Sequence, residues 1–308
     1  MGTTDDGSVS DQTSTGAGAK DLAIAASQFD RVRRRLFGIA YRMLGSGSDA
    51  EDVVQEVWIR WQAYDRSTVL EPAALLAKTT TRLSINHLKT ARARHETYVG
   101  PWLPEPVDTS QDPALGAERG EALNLAIVLL LEKLTPTERA AYVLREAFDY
   151  PYSQIAEIVQ VSEGASRQLV SRARKHLQQE RRARVETGAQ RRLLNAFLAA
   201  AQAGDVVALE ELFTAEVVSY TDGDGTPLAA RIPVVGRQRV ASFIAAFSSH
   251  FWTGKVIEVV ELNGQPAAQL VQDGVVTTSI VLVSSAEGVR QLQWVMSPAK
   301  LGRLSARG

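Results

Sequence analysis

Cysteine is absent from the chain and histidine occurs only four times. Those shortages exclude disulfide frameworks, thiolate metal sites and thiol nucleophiles, and leave little for metal ligation or imidazole acid-base work. Long apolar runs are missing too. The longest, Leu125 to Leu131, falls well short of the roughly 18 to 20 residues that a membrane-spanning helix needs. The first twenty residues lack an apolar signal core, so a cytoplasmic protein with no membrane partner is the expectation. Nor is there an excess of one charge: the formal net charge is -1. Contact with nucleic acid would therefore have to come from local clustering of basic residues. What remains is a chain of 308 residues, 45% hydrophobic and 22% charged, long enough for two or three units that each bury a core.

The pattern divides the chain. Residues 1–20 are mostly Gly, Ser, Thr, Asp and Ala and read as a disordered tail. A helical domain is expected over 21–96. A proline-rich linker over 97–116 follows, in which Pro101, Pro104 and Pro106 stiffen an extended backbone. A second helical domain is expected over 117–184. Residues 189–308 begin with an apolar helix over Leu193 to Phe213 and turn at Asp222 to Gly225. A helix over Arg237 to Phe251 comes next. Alternating segments at Val256 to Leu262, Ala267 to Val271, Val275 to Val283 and Val289 to Met296 then predict an α+β domain with a curved antiparallel sheet.

In the first domain, Ser48-Asp49-Ala50-Glu51 has the form of a capping box, which starts a helix at about Asp49. Ala50, Val53, Val54, Val57, Trp58 and Trp61 share its inner face and leave Asp52, Gln55, Glu56 and Arg60 outside. A following helix, from about Pro72, carries Lys78, Arg82, Asn86, Lys89, Arg92 and Arg94 outward. Such a cationic face suits phosphates, and an amide there suits a base edge or a sugar. In the second domain, Thr135-Pro136-Thr137-Glu138 is another capping box. Beyond it, a short helix from Ser153 to Val159, a turn at Gln160-Val161-Ser162 and a longer helix from Glu163 have helix-turn-helix spacing. The longer helix is expected to expose Ser166, Arg167, Gln168, Ser171, Arg172, Arg174 and Lys175 to a DNA major groove.

Asp49-Ala50-Glu51-Asp52-Val53-Val54-Gln55-Glu56-Val57-Trp58 resembles the polymerase-binding helix of the sigma-70 superfamily. Tyr152-Ser153-Gln154-Ile155-Ala156-Glu157-Ile158, with Arg172-Ala173-Arg174 downstream, resembles the superfamily's -35-reading region. The order of these segments is similar to that of the two-domain extracytoplasmic-function sigma factors. The linker Trp102-Leu103-Pro104-Glu105-Pro106 and the long extension resemble the SigJ-type subfamily with its SnoaL-like domain. The resemblance implies two all-α sigma domains, sigma2 and sigma4, followed by an NTF2/SnoaL-like cone. It implies core RNA polymerase as partner of the helix bearing Asp49, Glu51, Asp52, Gln55, Glu56 and Arg60. It also implies promoter -10 DNA on the first basic helix, a base-capturing loop at Asp65 to Glu71, and -35 DNA on the helix-turn-helix. No cofactor or metal is implied, and the family is not enzymatic.

Within the subfamily, Asp222-Gly223-Asp224-Gly225 corresponds to a DGGGK-like motif and Ser297-Pro298-Ala299-Lys300-Leu301 to an NPDKL-like one. Asp222, Asp224 and His250 are acid-base candidates if the cone catalyses, and a small-molecule ligand in its pocket is a further expectation. The bland alternative for Asp222 to Gly225 is a tight turn with solvated carboxylates. The reading carried forward is that the extension clasps the linker through Trp102 and Leu103, with inhibition and activation both open. Two alternatives stand beside it. One is a helix-turn-helix regulator with a ligand sensor, which needs no polymerase, and the other is a SnoaL-type enzyme fused to DNA-binding domains.

Overall fold

The computed structural model describes residues 11–95, 98–109, 125–178, 186–226 and 229–304, with the backbone alone for 11–20, 91–95, 125–126 and 178. Helix α1 (Asp11–Leu44) opens the described chain, so it begins within the stretch read as an irregular tail. Gly45 ends it with φ of 68°. A side chain there would be strained and would also meet the Trp102 ring, 2.7 Å from an added Cβ. Helix α2 (Gly47–Gln62) follows, capped by Ser46, whose side chain accepts from the Asp49 amide. The cap therefore lies two residues before the expected Ser48, which stands instead in the first turn. A 3-10 turn (Arg66–Thr68) leads into α3 (Pro72–His95).

After the linker come α4 (Leu125–Leu131), α5 (Pro136–Phe148), α6 (Tyr152–Val159) and α7 (Glu163–Gln178). The Thr135–Glu138 capping box forms as expected. Gln160, with φ of 61°, makes the turn between α6 and α7. The two helical units were expected to bury separate cores. Instead one continuous apolar cluster runs from Ala25 and Phe29 through Tyr41, Val54 and Trp61 to Leu144, Ile155 and Leu177. Arg139, fully buried, helps join them: its guanidinium donates to the carbonyls of Met43, in α1, and Leu131, in α4.

The remainder is α8 (Thr187–Ala203), α9 (Val206–Leu212), β1 (Phe213–Asp222), β2 (Val234–Val235), α10 (Arg237–Phe251), β3 (Val256–Leu262), β4 (Gln265–Gln272), β5 (Val275–Ser285), β6 (Gly288–Val295) and α11 (Pro298–Leu301). The single helix expected over Leu193 to Phe213 is two, broken at Gly204 in the left-handed region. The sheet order is β2-β1-β6-β5-β4-β3. Strand β1 pairs parallel with β6, which corrects the expectation of a wholly antiparallel sheet. Phe197, Leu209, Val240 and Ile244 of the helices pack on Leu270, Ile280, Leu292 and Trp294 of one sheet face. The other face buries a smaller cluster that includes Leu103 of the linker with Leu262, Val281, Val295 and Leu301.

Candidate functional site

The linker runs through a seam between α1, α2 and the second sheet face. At its far end Val107 to Thr109 adds to the edge of β3. The Val107 amide donates to Asn263 Oδ1 (3.0 Å), the Asn263 amide to the Val107 carbonyl (2.9 Å), and the Thr109 amide to the Glu261 carbonyl (3.2 Å). Leu103 is fully buried, a transfer worth roughly 1.5–3 kcal/mol.

Asp222 is the centre of the hold. It is the last residue of β1 and is fully buried, so the solvated-turn alternative does not hold for its carboxylate. Its Oδ2 accepts from the Leu103 amide at 2.7 Å and from Lys300 Nζ at 2.6 Å, and its Oδ1 accepts from the Tyr98 hydroxyl. Lys300 Nζ also donates to the Leu103 carbonyl (2.6 Å) and lies over the Tyr98 and Trp102 rings at 4.9 and 4.4 Å. Burial draws this ammonium below the usual lysine range, against the pull of Asp222. Gly223 follows under constraint, since an added Cβ would lie 2.2 Å from Ala229 Cβ. The turn itself falls at Asp224 and Gly225, both at positive φ and exposed.

Glu105 joins the linker to α2. It is buried, and its Oε2 accepts from the Gly47 and Ser48 amides (2.8 and 3.2 Å) and from the Ser46 and Ser48 hydroxyls (3.2 and 3.1 Å). A carboxylate at a helix N-terminus satisfies free donors and opposes the helix dipole favourably. The Glu105 carbonyl accepts from the Tyr41 hydroxyl (2.7 Å), which in turn accepts from Asn263 Nδ2 (2.7 Å). Helix α1, the linker and the β3–β4 turn thus share one hydrogen-bonded chain.

Asp52, Gln55, Glu56 and Arg60 are exposed on α2, while Asp49 and Glu51 are half-buried beside them. Glu51 pairs with Arg33 (2.7 Å) and Asp49 stands 3.7 Å from His87. On α3, Asn86 and Lys89 are exposed, and the side chains of Arg92 and Arg94 lie outside the described residues. Lys78 and Arg82 do not stand open to solvent as expected. Lys78 bonds Glu157 (2.6 Å), and Arg82 donates to the carbonyls of Ile158 and Glu157 (3.0 and 3.1 Å), all on α6. On α7, Arg167, Gln168, Ser171, Arg172, Arg174 and Lys175 are exposed. Ser166 is a correction: it is fully buried, its hydroxyl donating to the Tyr152 and Glu163 carbonyls, because the inner stripe of α7 is Ser166, Leu169, Val170, Ala173 and Leu177.

An aromatic crevice of Phe243, Phe247, Phe251, Trp252 and Trp294 opens between α10 and strands β1 and β6, and Asp222, Asp224 and His250 are not among its lining residues. The acid-base candidates are therefore not brought together there. Sequence reasoning missed Tyr41, Tyr98 and Asn263 and did not single out Lys300. Only Lys300 had a signal, in Ser297-Pro298-Ala299-Lys300-Leu301.

The family descriptions Sigma-70 region 2 and Sigma-70, region 4 match residues 28–94 and 124–177. The ECF RNA polymerase sigma factor SigJ of Mycobacterium tuberculosis is 36% identical over 235 residues, 74% of each chain. This chain belongs to the ECF sigma factors. A second ECF relative, the probable sigma factor SigI of Mycobacterium tuberculosis, is 31% identical over 278 residues, 89% of this chain and 93% of that one. The crystal structure of Mycobacterium tuberculosis SigJ superposes with a TM-score of 0.74 at 30% identity, covering 90% of this sigma factor and 98% of that chain. The likeness thus extends past the two sigma regions into the C-terminal domain. Sigma factors act in transcription initiation and are not enzymes. Among the described residues no helix is long and apolar enough to cross a membrane.

Proposed function

We propose that this ECF sigma factor is held closed by its own C-terminal domain, acting as a built-in restraint through the linker. In this reading the sigma2 domain spans 21–96, the sigma4 domain 117–184 and the restraint 189–308. The α2 face of Asp52, Gln55, Glu56 and Arg60, flanked by Asp49 and Glu51, docks on core RNA polymerase. Lys78, Arg82, Asn86, Lys89, Arg92 and Arg94 serve the -10 element, and the exposed α7 residues from Arg167 to Lys175 serve the -35 element. The observation that carries the reading is the buried Asp222, which accepts from Tyr98, Leu103 and Lys300 at once. An oxygen acceptor so engaged fits a structural clasp better than a general base, so the C-terminal domain is assigned no catalysis.

Two cations also favour the closed reading, because Lys78 and Arg82 cannot bind α6 and DNA phosphates together. Release of the linker frees α3 and α6 to separate, and polymerase and promoter then select the open form.

Run-off transcription with core polymerase tests both halves. Asp222→Asn, Trp102→Ala and removal of residues 189–308 should each raise promoter-dependent output, by about tenfold if the clasp is worth about 1.4 kcal/mol. Outputs equal to that of the unaltered chain in all three would remove the restraint. Asp52→Lys with Glu56→Lys should abolish capture of core polymerase, and undiminished capture would refute the docking face.

A further inference from the structure

The sheet face that carries the linker is not uniformly apolar, and the strand register shows what each part of it meets. One cross-strand row is Val218, Gln291 and Val283, on β1, β6 and β5. With Leu130 and Lys133 near the end of α4, these residues line a cleft between helix and sheet. The next row on the same face is Tyr220, Gln293 and Val281, and the one after it is Asp222, Val295 and Ser279. In that last row Asp222 accepts from the Leu103 amide. The middle row thus lies between the part of the face that meets α4 and the part that holds the linker. Leu103 of the linker and Leu129 of α4 pack in one apolar cluster with Tyr220, Val281 and Val295.

Gln293 is the exception in this surrounding. It is fully buried, yet neither its Oε1 nor its Nε2 has a hydrogen-bond partner among the described residues. The cleft gives it no outlet, because Gln293 is not among the residues that line it. Gln291, which does line the cleft, is only half-buried. A glutamine amide carries two N–H donors and a carbonyl acceptor, all of which water satisfies on an open surface. Enclosing them without partners costs their desolvation, whereas a leucine of similar size would be enclosed at a gain.

We infer that Gln293 keeps the clasp weak. Its amide is stripped of water when α4 and the linker close on the sheet and recovers water when they leave, so it opposes the closure that Leu103 favours. Because the amide is uncharged, its opposition is insensitive to salt, unlike the pair of Lys78 and Glu157. The inference deepens the restraint proposed above and rests on it.

Gln293→Leu in the full chain tests this. Removing the amide should stabilise the closed form, raising the melting temperature by about 2–6 °C. Promoter-dependent run-off transcription with core polymerase should fall by about fivefold or more. Gln291→Leu makes the same change at the neighbour that solvent already reaches, and it should alter neither readout. A melting temperature that falls or stays unchanged in Gln293→Leu would mean that the amide costs the closed chain nothing. One that rises while transcription is unchanged would mean that the amide stays covered in the active form. Either result overturns the inference. The restraint is judged separately, by removing residues 189–308. If that removal raises output and Gln293→Leu does not lower it, the restraint holds and the role of Gln293 fails; if the removal changes nothing, both fail.

Discussion

Tyr41, which bonds the linker at Glu105, and Tyr98, which lies in the linker and bonds Asp222, both hold their phenolic protons more tightly than free tyrosine. Burial is the larger cause for each, with Asp222 adding to it at Tyr98 and the Asn263 hydrogen bond opposing it at Tyr41. An acid whose folded value is raised contributes stability that is complete below its ordinary value, about pH 10, and lost as the pH climbs beyond it. Lys300 has the opposite sign. Its value is lowered, so the folded chain binds fewer protons than the unfolded one, and its penalty is relieved as pH rises toward the ordinary lysine value. With two tyrosines against one lysine, denaturation midpoints should fall above about pH 10, and the fall should shrink in Tyr41→Phe with Tyr98→Phe. An alkaline slope identical in the double variant would show that these hydroxyls do not carry it. None of this was legible in the sequence. Tyr41 reads as one more apolar position on a helix, and Asn263-Gly264 reads as a hairpin turn, which it also is. Asp222 was picked out by resemblance, but its acidity and its neighbouring glycines spoke equally for a solvated loop. What decides between the readings is Leu103 and Lys300, far away in sequence.

Helix α3 meets α6 partly through polar bonds, from Lys78 to Glu157 and from Arg82 to the Glu157 and Ile158 carbonyls. Lys78 bonds the exposed Glu157, and Lys78 in turn lowers the Glu157 carboxyl below its usual range. Exposed pairs of this kind are weak and salt-sensitive, which suits an interface that must part. Glu157→Ala removes the attraction without adding a cation that DNA would notice. It should widen the separation of α3 and α6 and improve promoter binding by about twofold to fivefold, an advantage that fades at high salt. Because the chain has no cysteine, single cysteines introduced at Lys89 and Gln168 can carry dyes cleanly, and an unchanged energy-transfer efficiency would discount the idea. The helices themselves were open to reading, since capping residues and apolar stripes are local signals. Strand β1 was not: Phe213 to Asp222 follows α9 directly without a turn, and its pairing with β6 is parallel and remote in sequence. The Ser166 error has the same origin, because Tyr152, whose carbonyl the buried hydroxyl bonds, is supplied by α6.

The assembled chain keeps two demands in balance. A core shared by the two helical domains and a linker buried against the sheet make it a closed body, yet a sigma factor has to present separate surfaces to polymerase and to two promoter elements. The closed form can therefore be favoured by only a few kcal/mol, or polymerase binding would not overcome it. Leu103 lies where that balance is most sensitive, because it is fully buried against the sheet only while the linker is clasped. Leu103→Ala removes about 2–5 kcal/mol from the closed form, with much less effect on an open form in which the side chain is in water. Since each 1.4 kcal/mol is about tenfold in population, a modestly favoured closed state becomes the minority. Small-angle scattering should then show a larger radius of gyration for Leu103→Ala, and run-off transcription should rise with it. If the radius grows and transcription does not, closure is not what limits this sigma factor. If neither moves, the linker is held by its polar bonds to Asp222, Lys300 and Asn263 alone.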